Sequence, residues 1–225
     1  MKIPAYGVHL FTALGAALGL WAILLTFDGF YKEAIWVLGA AVFVDAVDGS
    51  LARYFDVKDY APKIDGALMD NIIDFITWTI APFVWIYATM QIPIWVLIIC
   101  AISSAFGFSN IQAKTSDNYF LGFPSYWNIV VFYIFMLNLP VEFASAIMLI
   151  FAVTTFLPIK FIYPSRTSFL KKFTLVLGSI FALQLIALMI LFQESPLYLI
   201  YSSFIFPIYY FSLSFYLNFK SVETT

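Results

Sequence analysis

The stretch FVDAVDGSLARYF, residues 43–55, and DGALMDNIIDF, residues 65–75, together hold four aspartates, Asp45, Asp48, Asp70 and Asp74, in segments otherwise apolar enough to cross a bilayer. An ionisable residue at the centre of a membrane helix costs at least about 2.5–3.5 kcal/mol, and such residues face a cavity or a partner. Asp45 and Asp48 lie three residues apart, and Asp70 and Asp74 four apart. On helices each pair therefore shares one face.

The surrounding composition sets the solvent. Of 225 residues, 63% are hydrophobic, 20% aromatic and only 11% charged, with a mean hydropathy of +0.95. A soluble domain carries about 25% charged residues. The expectation is an all-α integral membrane protein, one transmembrane domain over residues 1–225. The N-terminus lacks a charged n-region with a cleavage site, so the first apolar stretch reads as a retained span. A single cysteine, Cys100, and a single histidine, His9, exclude a disulfide framework and any multi-histidine or cysteine metal site.

Eight apolar runs are expected to cross, at about 6–27, 34–54, 66–90, 93–113, 124–138, 140–159, 171–193 and 196–217. The basic residues fit that count. With the N-terminus inside, Lys2, Arg53, Lys58, Lys63, Lys114, Lys160, Arg166, Lys171, Lys172 and Lys220 all fall on the cytoplasmic side, and Lys32 alone on the other. This positive-inside bias puts both termini in the cytoplasm. Asp45 and Asp48 then lie about 13 and 9 Å before the cytoplasmic end of the second span, and Asp70 and Asp74 about 6 and 12 Å into the third. If these spans are antiparallel neighbours, four carboxylates meet in one pocket below the cytoplasmic surface.

Four like charges need counter-charge, and no Lys or Arg lies inside these spans. Two divalent cations would balance them. All-oxygen ligation suits Mg²⁺ or Mn²⁺, and two such ions can hold a diphosphate through an in-line displacement. Gly49 and Gly66 let a phosphate approach the backbone, Ala52 keeps the same helix face open, and Arg53 at the membrane surface can reach a phosphate. An ion-coupled transporter also gathers intramembrane carboxylates, but neither an acidic pair in the second half nor a matched broken span is present.

The pattern D-A-V-D-G-S-L-A-R at 45–53 and G-A-L-M-D-N-I-I-D at 66–74 resembles the signature of the CDP-alcohol phosphotransferase family, D-x2-D-G-x2-A-R-…-G-x3-D-x3-D. Asp45, Asp48, Gly49, Ala52, Arg53, Gly66, Asp70 and Asp74 all match it. The spacer YFDVKDYAPKID, residues 54–65, is longer than most members carry and is similar to that of the bacterial phosphatidylcholine synthases. So are VHLFTALGAALGL at 8–20, GFPSYWNIVVFYIF at 122–135 and LPIKFIYP at 157–164. The resemblance implies a six-helix core with two further C-terminal helices, in a bacterial inner membrane, with the active site at the cytoplasmic side. It implies transfer from CDP-diacylglycerol to choline, with a related acceptor such as serine as the alternative. It also implies a homodimer, and no nucleic-acid partner is expected.

Carried over by residue, the resemblance implies that Asp45, Asp48, Asp70 and Asp74 hold two Mn²⁺ or Mg²⁺ ions, with Asp74 also the general base. Thr12, Gly49, Ala52, Arg53 and Gly66 would line the CDP pocket. His9 stands where most members have asparagine. A quaternary ammonium is best held by aromatic faces, which makes Trp78, Tyr126, Trp127 and Tyr133 candidates for choline. Arg166 is a candidate for a lipid phosphate, and the shortage of buried cations favours a neutral or cationic acceptor.

Overall fold

Apolar runs bounded by proline, glycine and charge become helices in the expected order. The structure, a computed structural model, describes residues 2–222. Met1 and residues 223–225, the outermost ends of the 1–225 domain, lie outside the described residues, as do the side chains of Lys2 and Lys220. The helices are α1 (Lys2–Phe27), α2 (Tyr31–Tyr54), a short α3 (Val57–Tyr60), α4 (Gly66–Asp74), α5 (Ala81–Met90), α6 (Ile94–Ser109), α7 (Trp127–Met136), α8 (Val141–Thr154), α9 (Lys171–Leu191), α10 (Leu197–Ser203) and α11 (Ile205–Val222). A π-helical turn, Phe75–Ile80, joins α4 to α5, so that Gly66–Met90 runs as one span.

Among the described residues, five helices are long and apolar enough to cross a membrane: Ile3–Phe27, Tyr31–Tyr54, Gly66–Met90, Lys171–Glu194 and Leu197–Phe219. α6, α7 and α8 hold 16, 10 and 14 residues, against the roughly 20 that span the hydrocarbon. The all-α membrane architecture therefore holds, with three of the expected eight spans shorter than the apolar runs that contain them. Helix geometry stops early where the sequence supplies breakers. Asn138 takes a left-handed φ of 45° two residues before Pro140, and Pro158 follows α8.

The chain divides into two compact units, Met1–Leu97 with Tyr126–Phe132, and Ile98–Ser125 with Tyr133–Thr225. The first contains the aspartates. Its α2 and Gly66–Met90 helices are antiparallel: Trp85 Nε1 donates to the Tyr31 carbonyl at 2.9 Å, and Trp78 Nε1 donates to Asp45 Oδ2 at 3.3 Å. α1 packs close to both. A Cβ on Gly15 would sit 2.6 Å from Ile73 Cγ2, and one on Gly19 2.8 Å from Ile76 Cγ2. This small-xxx-small pair, not singled out in the sequence reading, brings backbones together within one chain. Asp65 caps α4, its Oδ1 accepting from the Ala67 and Leu68 amides at 3.0 Å each. Val57 and Ala61, in the spacer of residues 54–65, bury against Ala5 and Val8 of α1.

Proline chemistry sets where the π-helical register ends. The Ala81 amide bonds to the Ile76 carbonyl, five residues back. The next donor in that register would be residue 82, a proline with no N–H. Thr77 O would be orphaned, but Asn128 Nδ2 donates to it at 3.0 Å.

The second unit contains a feature absent from the sequence reading: a two-stranded antiparallel ribbon, β1 (Tyr119–Leu121) with β2 (Lys160–Ile162). Asn218 of α11 clamps it, its Oδ1 accepting from the Lys160 amide and its Nδ2 donating to the Lys160 carbonyl. Gly122 follows β1 at φ +79°, where a Cβ would meet the Thr155 carbonyl oxygen. α6 and α8 are tied by Ser103 Oγ donating to the Ala152 carbonyl at 2.8 Å.

Candidate active site

The antiparallel pairing does to the aspartates what their spacing predicts. Asp45 on α2 and Asp70 and Asp74 on α4 each turn a carboxylate oxygen to one place, the three atoms within 4.8 Å of one another. Asp48 is 7% exposed and lines the same cavity, with Thr12, Gly15, Ala41, Val44, Asp45, Asp70, Ile73, Asp74 and Thr77. The free volume is about 10 Å³, room for about one water. Octahedral ligands about 2.1 Å from a small hard cation stand roughly 3–4 Å from each other, so the three oxygens need only a slight contraction to share an ion. The donor set is all oxygen and anionic, which fits Mg²⁺ or Mn²⁺.

Thr12 is buried, its hydroxyl donating to the Val8 carbonyl at 3.3 Å. Arg53 is exposed at the end of α2, with Nη2 donating to Ser50 Oγ at 3.1 Å. Beside it a Cβ on Gly49 would meet only Arg53 Nη1, at an ordinary 3.6 Å, so protein packing there leaves a side chain's space open. Ala52 packs on the Val57–Ala61 cluster. Gly66 lies against His9: an added Cβ would come 3.1 Å from His9 Cε1. His9 is 5% exposed and its Nε2 has no hydrogen-bond partner.

The four aromatic candidates divide. Trp78 donates to Asp45, and its ring centroid lies 5.6 Å from that of Tyr126, tilted by 53°. Trp127 is fully buried, edge-on to Phe83. Tyr133 belongs to the second unit, where its hydroxyl bonds Ser203 and its ring packs on Phe204. Arg166, also in that unit, is exposed with its guanidinium over the Tyr163 ring, 4.9 Å from the centroid.

Sequence reasoning missed Thr77 and Asn128. Thr77 was findable, being three residues past Asp74 on the same helix face. Asn128 carried only the weak signal of an amide in an apolar run, because its role depends on a helix distant in sequence.

Comparison with known proteins agrees with this geometry. The CDP-alcohol phosphatidyltransferase family model matches residues 8–158. A protein of Legionella pneumophila is 41% identical over 175 residues, covering 75% of this chain and 68% of the relative. One of Borreliella burgdorferi is 40% identical over 177 residues, covering 77% and 76%. One of Legionella bozemanae is 33% identical over 212 residues, covering 89% and 98%. Each bears the name phosphatidylcholine synthase. The motif residues from Asp45 to Asp74 fall inside the matched segment, and this chain belongs to the CDP-alcohol phosphatidyltransferase family.

Proposed function

We propose that the protein transfers the phosphatidyl group of CDP-diacylglycerol to choline and releases CMP. The observation that carries this is the convergence of Asp45, Asp70 and Asp74 within 4.8 Å, with Asp48 in the same cavity. The names of the relatives support choline as acceptor. In this reading the whole chain is one catalytic domain with eight crossings in a bacterial inner membrane. Both termini and the site face the cytoplasm, and the enzyme acts as a homodimer.

The four aspartates would hold two Mn²⁺ or Mg²⁺ ions. When bound, the ions neutralise the carboxylates and offset the charge that develops on the diphosphate during displacement. The chain's residues do the rest. A cavity of about 10 Å³ is too small for a nucleotide, so the CDP head lies outside it, where Gly49 admits it to the backbone and Gly66 borders it beside His9. Arg53 pairs with a phosphate there, and Thr12 and Ala52 border the pocket. Asp74 accepts the choline hydroxyl proton as the new oxygen–phosphorus bond forms at the phosphorus bearing diacylglycerol. The bond from that phosphorus to CMP breaks in the same displacement. Arg166 is assigned to a phosphate of the surrounding lipid.

The test is CMP release by the purified protein with CDP-diacylglycerol and Mn²⁺, offered choline, serine, inositol phosphate or glycerol phosphate in turn. Choline-dependent release with matching phosphatidylcholine formation is expected. Release with another alcohol alone would keep the aspartate chemistry and overturn the acceptor. No release with any of them from folded protein would overturn the enzyme reading.

A further inference from the structure

The acceptor has two ends, and the metal cluster accounts only for its hydroxyl. We propose that the quaternary ammonium of the acceptor is held on the faces of Trp78 and Tyr126, one helical turn beyond Asp74. This inference rests on the phosphatidyl-transfer reading above.

Three observations meet at that place. First, Trp78 is tied to the cluster itself, because its indole N–H donates to Asp45 Oδ2 at 3.3 Å. That bond fixes the indole plane and draws electron density into the ring, strengthening the negative face that attracts a cation. Second, Tyr126 stands at 5.6 Å and 53° to it, both rings only partly buried. The two faces are therefore splayed rather than stacked shut. Third, the Oδ1 of Asn128, two residues past Tyr126, is buried without a hydrogen-bond partner, while its Nδ2 is committed to Thr77 O. That amide ties the chain at Tyr126 to Thr77, the residue before Trp78, and so holds the two rings in a fixed relation.

The dimensions agree. Trp78 is four residues past Asp74, about one turn along the same helix. Choline separates its oxygen from its nitrogen by two methylene groups, and a cation contacts a ring face within about 6 Å of the centroid. A hydroxyl at Asp74 thus leaves the ammonium at Trp78. The charges agree as well. Residues 66–90 and 124–138 contain no Lys or Arg, so a cation meets no repulsion and an anionic acceptor finds no counter-charge. The other aromatic candidates offer less, since Trp127 has no exposed face and the Tyr133 hydroxyl is held by Ser203.

The test compares choline with its neutral isostere 3,3-dimethylbutan-1-ol in wild type, Trp78→Leu, Tyr126→Leu and Tyr126→Phe, by CMP release in lipid nanodiscs. Each ring face contributes about twofold to thirtyfold in cation affinity. Either leucine variant should raise the KM for choline about tenfold, with a much smaller rise for CDP-diacylglycerol and for the isostere. Tyr126→Phe, which keeps the ring, should stay near wild type. Equilibrium binding of radiolabelled choline to the same proteins with Mn²⁺ and CMP gives the answer where a variant no longer turns over. Choline affinity within twofold of wild type in both leucine variants would overturn the proposal, as would equal losses for choline and the isostere. Failure of the broader reading looks different: the wild type itself would not use choline.

Discussion

Gly15→Ala is the substitution whose effect the structure sets most directly. The added methyl lands 2.6 Å from Ile73 Cγ2, about 1 Å short of carbon–carbon contact. Ile73 is 8% exposed and β-branched on a helix, so its χ1 has little freedom to carry the methyl aside. The strain falls on the helix that carries Asp74, the next residue. Overpacking of this kind costs about 1–3 kcal/mol, and a misplacement of about 1 Å at reacting groups costs about a hundredfold in rate. The expected outcome is a lower thermal-unfolding midpoint and about a hundredfold loss of CMP release, with protein still inserted and folded. The offending atom is Cγ2, which leucine lacks and valine keeps. Gly15→Ala with Ile73→Leu should therefore recover most of the activity, and Gly15→Ala with Ile73→Val should not. Wild-type turnover in the single variant, or equal rescue by leucine and valine, would refute this account of how α1 positions the site.

Asp74→Asn should lower turnover about 10²- to 10⁴-fold as the base is lost while CDP-diacylglycerol still binds, measured by CMP release beside lipid competition; near-normal turnover would remove Asp74 from that role. Asn128→Ala leaves Thr77 O without its donor and should cost about 1–3 kcal/mol. Adding Pro82→Ala returns a backbone N–H in the π register and should recover part of that loss in the unfolding midpoint; a purely additive double variant would refute the explanation of the turn. In the second unit, the Lys160 ammonium donates to Asp117 at 2.6 Å and holds its carboxyl below the ordinary carboxylate range. The folded-state value is thus depressed, so the pair's contribution is present above that range and is lost as pH falls through it. Both groups are substantially exposed, which limits the effect to about 0.2–1 kcal/mol. Asp117→Asn should flatten the acid side of the stability profile by that amount, and parallel profiles would count against the pair.

The aspartate cluster was legible in sequence because its logic is local. Three- and four-residue spacings put Asp45 with Asp48, and Asp70 with Asp74, on single helix faces, and one antiparallel pairing then sufficed to bring Asp45 to Asp70 and Asp74. The span count was less legible, because hydropathy marks apolar runs and not where the backbone stays helical. The runs at 93–113 and 140–159 hold helices of 16 and 14 residues, and Thr155, past the end of the second, instead meets Gly122 in the loop beside the ribbon. The π-helical turn was hidden for a different reason. Pro82 announces a missing donor, but which carbonyl it strands depends on register, and the residue that satisfies it lies 51 positions away.

The same packing explains how like charges can be kept so close. Two unit charges about 4 Å apart repel by about 4 kcal/mol at an effective dielectric of 20, and the simplest relief would be for α2 and the Gly66–Met90 helix to splay. They are prevented from doing so at three levels. Trp85 fastens their far ends through the Tyr31 carbonyl, Trp78 bridges to Asp45 within the cluster, and the near-contact of Gly15 and Gly19 with Ile73 and Ile76 locks α1 against the second helix. Residual repulsion therefore cannot be spent on opening the fold. It remains at the carboxylates, where a divalent cation can release it, and binding needs little rearrangement because the oxygens already stand near ligand spacing. A looser pair of helices bearing the same four aspartates would have the charges of this site without its ligand spacing.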